Sequence, residues 1–308
     1  NTKKTRSDKR YVSLDVAYGI RARVHLTMHN YADALKDAEA ALASTSSVPY
    51  SSAAVSKPTF IDIEDASWMW GILITDKDRV STTGICNFPS HMGSLNYGYA
   101  SVGGWRRISP KLYNQIPESD VRKGWFLDDT GVSVNLPAAA QAYITKKGAP
   151  VYTQVKYGPM NDEWGSNNNA TDVILMRVEE MYFIEAEAVA QQNPAQGVTL
   201  LNDFMNNYRD PQYKCTKSNK DDIVKEIVFQ KRVEFWGEGQ SFFDIKRLNM
   251  PQTRGYAGTM HHTISRFNTT TRPAYMNFCI VRSEGNNNTA LVGFENPDPS
   301  DVYSSWAE

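Results

Sequence analysis

Side chains able to do chemistry gather in two runs of this chain. Arg177, Glu180 and Glu187 stand three and seven residues apart in the run Arg177–Ala188, which puts them on one stripe of a helix. Glu234, Glu238, Asp244 and Arg247 crowd the run Gln230–Arg247, with Arg232 and Lys246 among them. Paired carboxylates can act as general acid and base in glycoside hydrolysis, where they stand about 5–5.5 or 6.5–9.5 Å apart in an open cleft. The countercharge favours another use. Arg177, Arg232, Lys246 and Arg247 can pair these carboxylates and hold their pKa values down rather than raise one acid. We therefore expect Arg177, Glu180, Glu187, Arg232, Glu234, Glu238, Asp244 and Arg247 to form an ion network that fixes how two helical units dock. No catalytic residue is assigned.

The remaining polar candidates are weaker. Asp128 and Asp129 are adjacent, so in a strand they would face opposite ways, and a solvated turn accounts for them. His261-His262 has no acidic partner at metal-ligand spacing. His25 and His29 are four apart, a spacing that can bind zinc on a helix, but no third ligand accompanies them, and packing is the plainer use. Cys86, Cys215 and Cys279 are widely spaced, with no CxxC pair, which argues against a structural zinc site. No metal or cofactor is expected. A calcium held by loop carboxylates and carbonyls would leave little trace in a sequence.

The aromatic loops are a sharper lead. A sugar ring presents an apolar face of C–H groups and a rim of hydroxyls, so it needs a flat aromatic surface edged by polar groups. The segment Asn96–Arg106 offers that mixture in Asn96, Tyr97, Tyr99, Trp105 and Arg106, with glycines to present the rings. Trp164, flanked by Asn161 and Asn167, is a second candidate. Tyr97, Tyr99 and Trp105 could instead plug a core under the loops.

These residues need a scaffold. The chain has 308 residues, 41% hydrophobic and 22% charged, with a net charge of −1. That is ordinary for a globular protein and argues against a general nucleic-acid binder, which needs a basic excess. No apolar run of about 18 residues could span a membrane. Residues 13–29 and Tyr31–Ser44 read as a helical hairpin, with Ala34, Ala38 and Ala41 on a small-residue face. The pair resembles a tetratricopeptide repeat, and one such hairpin needs stacked neighbours. Trp68–Ile74 reads as a buried strand, and 75–105 as loops. Ser109-Pro110 looks like a helix start. Residues 128–170 read as irregular, with short strands near Val132–Val134 and Val151–Val155. Asp172 is a candidate cap for a helix through Ala188. Asn193-Pro194 ends that helix, Gly197–Tyr208 forms its partner, and Asp221–Trp236 follows until Gly237 and Gly239 stop it. From Pro251 onward the chain reads as loops, with a strand at Met276–Val281.

With these residues placed, the chain resembles the SusD-like (RagB/SusD) family, cell-surface nutrient-binding lipoproteins of Bacteroidetes. The resemblance rests on the Arg177–Ala188 helix and the Glu234–Arg247 run with its Glu238-Gly239-Gln240 centre. The early hairpin, the Trp68–Thr75 strand, Ser109–Arg122 and Asn296-Pro297 support it. Gln230 stands where many members carry Glu. The resemblance implies a mainly α fold, with tetratricopeptide-like hairpins forming a platform and a loop-rich region with a few short strands packed on it. Within one domain, 1–308, it implies a hairpin at 11–45, the loop-rich region at 58–170, repeat-like helices at 171–250 and an irregular segment at 251–308. Members are longer, so it also implies a preceding portion with a lipidated Cys and the first repeat helices. The function implied is non-catalytic capture of a glycan on the outer membrane, facing the cell surface. The glycan would pass to a SusC-like TonB-dependent transporter. Two rivals stay open: a repeat-type protein-interaction scaffold and a glycoside hydrolase.

Overall fold

Small residues decide how the first helices meet. Helix α1 (Leu14–Thr27) buries Val16, Gly19, Ala22 and Leu26, and α2 (Tyr31–Ser44) buries Ala34, Ala38 and Ala41 along with Asp37. A Cβ on Gly19 would come within 2.5 Å of Met176 Sδ. Asp37 is buried in pairing with Arg21 at 2.6 Å, and His25 Nε2 lies 3.7 Å away. The structure, a computed structural model, describes residues 8–78 and 87–296. It divides the chain into two compact units, Asn1–Glu238 and Gly239–Glu308. Cys86 and most of the Pro-rich tail lie outside the described residues.

The first unit continues with the short helix α3 (Ser52–Val55) and strand β1 (Trp68–Ile72). Helices α4 (Phe88–Met92), α5 (Pro110–Tyr113) and α6 (Ala138–Lys146) follow. Strand β2 (Val173–Arg177) then pairs antiparallel with β1, setting Trp68 opposite Arg177 and Ile72 opposite Val173. Helices α7 (Val178–Gln192), α8 (Pro194–Tyr208) and α9 (Lys220–Glu234) complete the unit.

Helix α7 is the centre of the platform. It touches α1, α2, α8 and α9 and is buried on nearly every side, from Val178 to Ala190. An enclosed helix should be apolar all round. This one carries Glu179, Glu180 and Glu187 with exposures of 0%, 1% and 0%, so each needs a cationic partner. Against α1 and α2 it packs Val178, Met181, Ile184 and Ala188. Against α8 and α9 it packs Phe183, Ala186 and Ala190. Asn193 caps α8 by accepting from Gln196 N, with Pro194 in the first turn.

The loop-rich region has two cores. Tyr50, Phe60, Trp68, Trp125, Phe126 and Tyr157 share one with Val233 of α9, which joins the loops to the platform. Leu95, Leu127, Ala140, Ile144 and Val155 form the other.

Several sequence expectations are corrected here. Asp172 does not cap a helix. Its carboxylate accepts from Ile63 N at 2.8 Å and Ile74 N at 2.7 Å, and the apolar run after it pairs with β1 before α7 begins. Arg177 is therefore the last residue of a strand, not a member of the helical stripe. Residues 132–134 form no strand, because the Asp128 carboxylate takes Thr130 N and Val132 N into a turn. Thr153 and Gln154 make only isolated bridges, to Arg107 and Phe126. The region read as irregular contains α6, whose Ala138-Ala139-Ala140 start follows Pro137.

In the second unit, Gly239 at φ +81° opens helix α10 (Gln240–Arg247). The expected strand at Met276–Val281 is a 3-10 turn over Ala274–Met276 and coil, before helix α11 (Arg282–Asn287).

Candidate ligand-binding surface

Two polar constellations occupy the first unit, one buried and one exposed. The buried one joins four cations to four carboxylates. Arg177 ends β2 with Nη1 at 3.1 Å from Glu234 and 3.0 Å from Glu179, and with Nη2 at 2.9 Å from Glu238. Arg209, just past α8, donates to both oxygens of Glu234 at 2.7 and 2.8 Å and reaches Glu179 at 3.2 Å. Arg122 pairs with Asp120 at 2.6 Å and lies 3.5 Å from Glu234. Lys156 Nζ donates to Glu238 at 2.6 Å and to the carbonyls of Glu234 and Trp236. Arg122 also donates to the Gln230 side-chain oxygen, so this glutamine serves as a neutral acceptor.

Burial pushes the Glu234 carboxyl up, but the guanidiniums of Arg209, Arg177 and Arg122 outweigh it and hold it well below the usual carboxylate range. Burial likewise opposes Glu238, and Arg177 and Lys156 hold it low. Burial brings the Lys156 ammonium down to about 8, against the pull of Glu238. Glu234 and Glu238 are thus held in the ionised form away from solvent, which does not suit the protonated acid of a hydrolytic pair. Phe60 lies under the cations, with Lys156 Nζ at 4.5 Å and the Arg177 guanidinium at 5.0 Å from its ring centre. Its φ of +62° is a rare conformation for a bulky residue, and its packed ring holds it there.

The other predicted charges lie apart from this cluster. Glu180 pairs with Arg23 of α1 at 2.5 Å. Glu187 lies 4.0 Å from Lys231. Arg232 lies outside the cluster, and burial lowers the pKa of its guanidinium. Asp244 and Arg247 pair with each other at 2.7 Å in the second unit. Sequence reasoning missed Asp120, Arg122, Lys156, Glu179 and Arg209 as members. Lys156 had one signal, a lone cation between Val155 and Tyr157.

The exposed constellation is the loop between α4 and α5. Tyr97 N donates to Ser166 O at 2.7 Å, and Tyr99 N to Ser90 Oγ at 2.9 Å. A Cβ on Gly98 would sit 2.8 Å from Ser90 Cα, so only glycine lets the loop lie this close to α4. The two tyrosines on either side keep 47% and 42% of their surface exposed. The His91 ring stacks on Tyr99 with centres 4.7 Å apart and planes at 24°. The Arg106 guanidinium lies 5.5 Å from the Tyr99 ring centre, and its Nη2 is 3.1 Å from His91 Nδ1. A guanidinium only donates, so His91 Nδ1 is the acceptor. Lys147, just after α6, lies 5.7 Å from the ring centres of both Tyr97 and Tyr143.

The other loop candidates face inward. Asn96 is 2% exposed and donates to Asn169 Oδ1 at 2.5 Å, so it ties the loop to the 161–170 segment instead of facing a ligand. Trp105 and Trp164 are half-buried against Leu95, Leu127 and Ile144, where they brace the loop from below. Tyr97, Tyr99, Arg106 and Lys147 remain open to a ligand. Sequence reasoning missed Lys147, because α6 was not recognised as the element that carries it. Among the described residues, no group of three or more His, Cys, Asp or Glu could hold a metal ion. No helix among them is long and apolar enough to cross a membrane.

Comparison with known proteins identifies the fold. A SusD-like carbohydrate binding protein from Bacteroides vulgatus ATCC 8482 superposes with a TM-score of 0.72 at 21% identity, covering 99% of this chain and 64% of its own. A SusD superfamily protein from Bacteroides thetaiotaomicron VPI-5482 gives 0.69 at 20% identity, covering 95% and 62%. Another from Parabacteroides distasonis ATCC 8503 gives 0.61 at 14% identity, covering 92% and 63%. The chain thus spans less than two thirds of the length of these solved relatives. No curated protein matches it. The family profile described as SusD family matches residues 111–294, more than half of the sequence and the whole of α7, α8 and α9. The chain belongs to the SusD family.

Proposed function

We propose that this chain is a non-catalytic glycan-binding protein of the bacterial outer surface, with Tyr97 and Tyr99 as its stacking platform. It would be lipid-anchored in its full-length form and pass its ligand to a SusC-like TonB-dependent transporter. The observation that carries the reading is the pair of half-exposed tyrosines on a loop fastened to Ser90, Ser166 and Asn169. Exposed aromatic rings keep apolar area in water, and a ligand's C–H faces recover that cost by covering them. A braced loop also avoids the ordering penalty a mobile one would incur on binding. The fold of a relative described as carbohydrate binding supports the same reading. So does the state of the buried carboxylates, which are paired and shielded rather than set for acid–base work.

Affinity electrophoresis against a panel of polysaccharides tests this. The native chain should be retarded by at least one glycan. Tyr97→Ala/Tyr99→Ala should weaken that binding roughly five- to hundredfold, at about 0.5–1.5 kcal/mol per stacking ring. Retardation by no glycan, or retardation unchanged in the double variant, would overturn the assignment of this surface.

A further inference from the structure

The glycan-binding reading leaves the class of glycan open, and the charges around the tyrosines narrow it. We infer that the ligand is anionic, a saccharide chain carrying carboxylate or sulfate groups, held by Arg106 beside Tyr99 and Lys147 beside Tyr97. This rests on the proposed function and goes one step beyond it.

Each exposed tyrosine has a cation at its ring. Several arginines and lysines of this unit meet carboxylates, as the buried cluster and the Arg23–Glu180 and Arg21–Asp37 pairs show. Arg106 and Lys147 meet exposed aromatic rings instead. Among the described residues, no carboxylate lies within 4.0 Å of either. Asp162 and Glu163, on the neighbouring exposed segment, lie beyond that distance too. Arg106 is held in place by donating to Gly104 O at 3.0 Å and to His91 Nδ1. Those two bonds orient the guanidinium over Tyr99 and leave further N–H donors for an incoming anion. A planar guanidinium suits the two oxygens of a carboxylate or sulfate. Lys147 is exposed and supplies a movable point charge at the other ring. A neutral sugar would need the rings and polar edges but would leave both cations without a counterion. An acidic sugar uses rings and cations together.

The test uses the 308-residue chain in gels containing polygalacturonate, chondroitin sulfate, methyl-esterified pectin, amylopectin or galactomannan. Esterified pectin keeps the backbone of polygalacturonate but removes its charge, so this pair isolates the carboxylate. Retardation by polygalacturonate or chondroitin sulfate is expected. For polygalacturonate it should disappear on esterification, and Arg106→Gln/Lys147→Gln should weaken either by about tenfold or more, with folding checked by circular dichroism. Retardation by a neutral glycan that survives Arg106→Gln/Lys147→Gln but is lost in Tyr97→Ala/Tyr99→Ala would overturn the inference and keep the binding surface. Retardation by an anionic polymer that persists in both double variants would overturn it as well, since diffuse charge attraction would then suffice. Retardation by none of the five would overturn the inference and the glycan reading together.

Discussion

Replacing Glu234 by Gln should be among the most damaging conservative changes in this protein. The side chain is fully buried and receives Arg209 through both oxygens, Arg177 at 3.1 Å and Arg122 at 3.5 Å. In the native cluster, Arg122, Lys156, Arg177 and Arg209 balance Asp120, Glu179, Glu234 and Glu238. Glutamine keeps the shape but leaves one positive charge in the interior without its counterion. Breaking a buried pair from one side costs about 3–5 kcal/mol, a large share of the 5–15 kcal/mol typical of a domain. Six of the seven tryptophans lie in the first unit, so tryptophan fluorescence in urea reports on it. With a slope near 3 kcal/mol/M, the midpoint should fall by about 1–1.7 M. Arg10→Ala, which opens an exposed pair with Asp8, should change stability by less than about 1 kcal/mol. A Glu234→Gln loss no larger than that control would refute the idea that charge balance holds this core.

Other perturbations follow from the same packing. Lys156 titrates near 8 when folded, below the ordinary 10.5, so the unfolded chain binds more protons between those values. Stability should therefore rise by about 1–2 kcal/mol from pH 8 to 9.5. In Lys156→Met that rise should be absent; above pH 10 the buried Tyr50 and Tyr157, both raised chiefly by burial, work against it. Glu238 and Glu234 are held below the usual value, so their contribution is present above about pH 4.5 and is lost as the pH falls through their folded pKa values. Denaturant midpoints measured from pH 5 down to pH 3 should decline. Gly237→Ala meets a φ of +81° and Met92 Cε at 2.7 Å, whereas Gly131→Ala meets a similar φ in open space. The first should cost about 1–3 kcal/mol more than the second in matched urea titrations.

The helical platform was legible because its signal is local. Alanines at helical spacing mark the α1–α2 hairpin, and Asn193-Pro194 marks the turn between α7 and α8. The β2–α7 junction was not legible. Asp172 before an apolar run looks like a cap, and only the pairing with β1, a hundred residues earlier, turns Val173–Met176 into a strand. The buried cluster was partly visible through Arg177, Glu234 and Glu238. Arg209 stayed hidden because nothing near it in sequence reports that it is buried, and Lys156 had only the weak signal of its neighbours Val155 and Tyr157. In the exposed loop, composition pointed to the rings and glycines, but not to which rings face outward. Gly98 against Ser90 turns Tyr97 and Tyr99 out, while the second core draws in Trp105 and Trp164.

The central claim, that a glycan covers the Tyr97–Tyr99 surface, can be read directly by hydrogen exchange. The chain would be compared by mass spectrometry with and without the polysaccharide that retards it most. Slower exchange in peptides covering 96–106 and 143–148, with α8 and α9 unchanged, is the predicted result. Protection confined to other segments, with 96–106 exchanging at its free rate, would contradict the account.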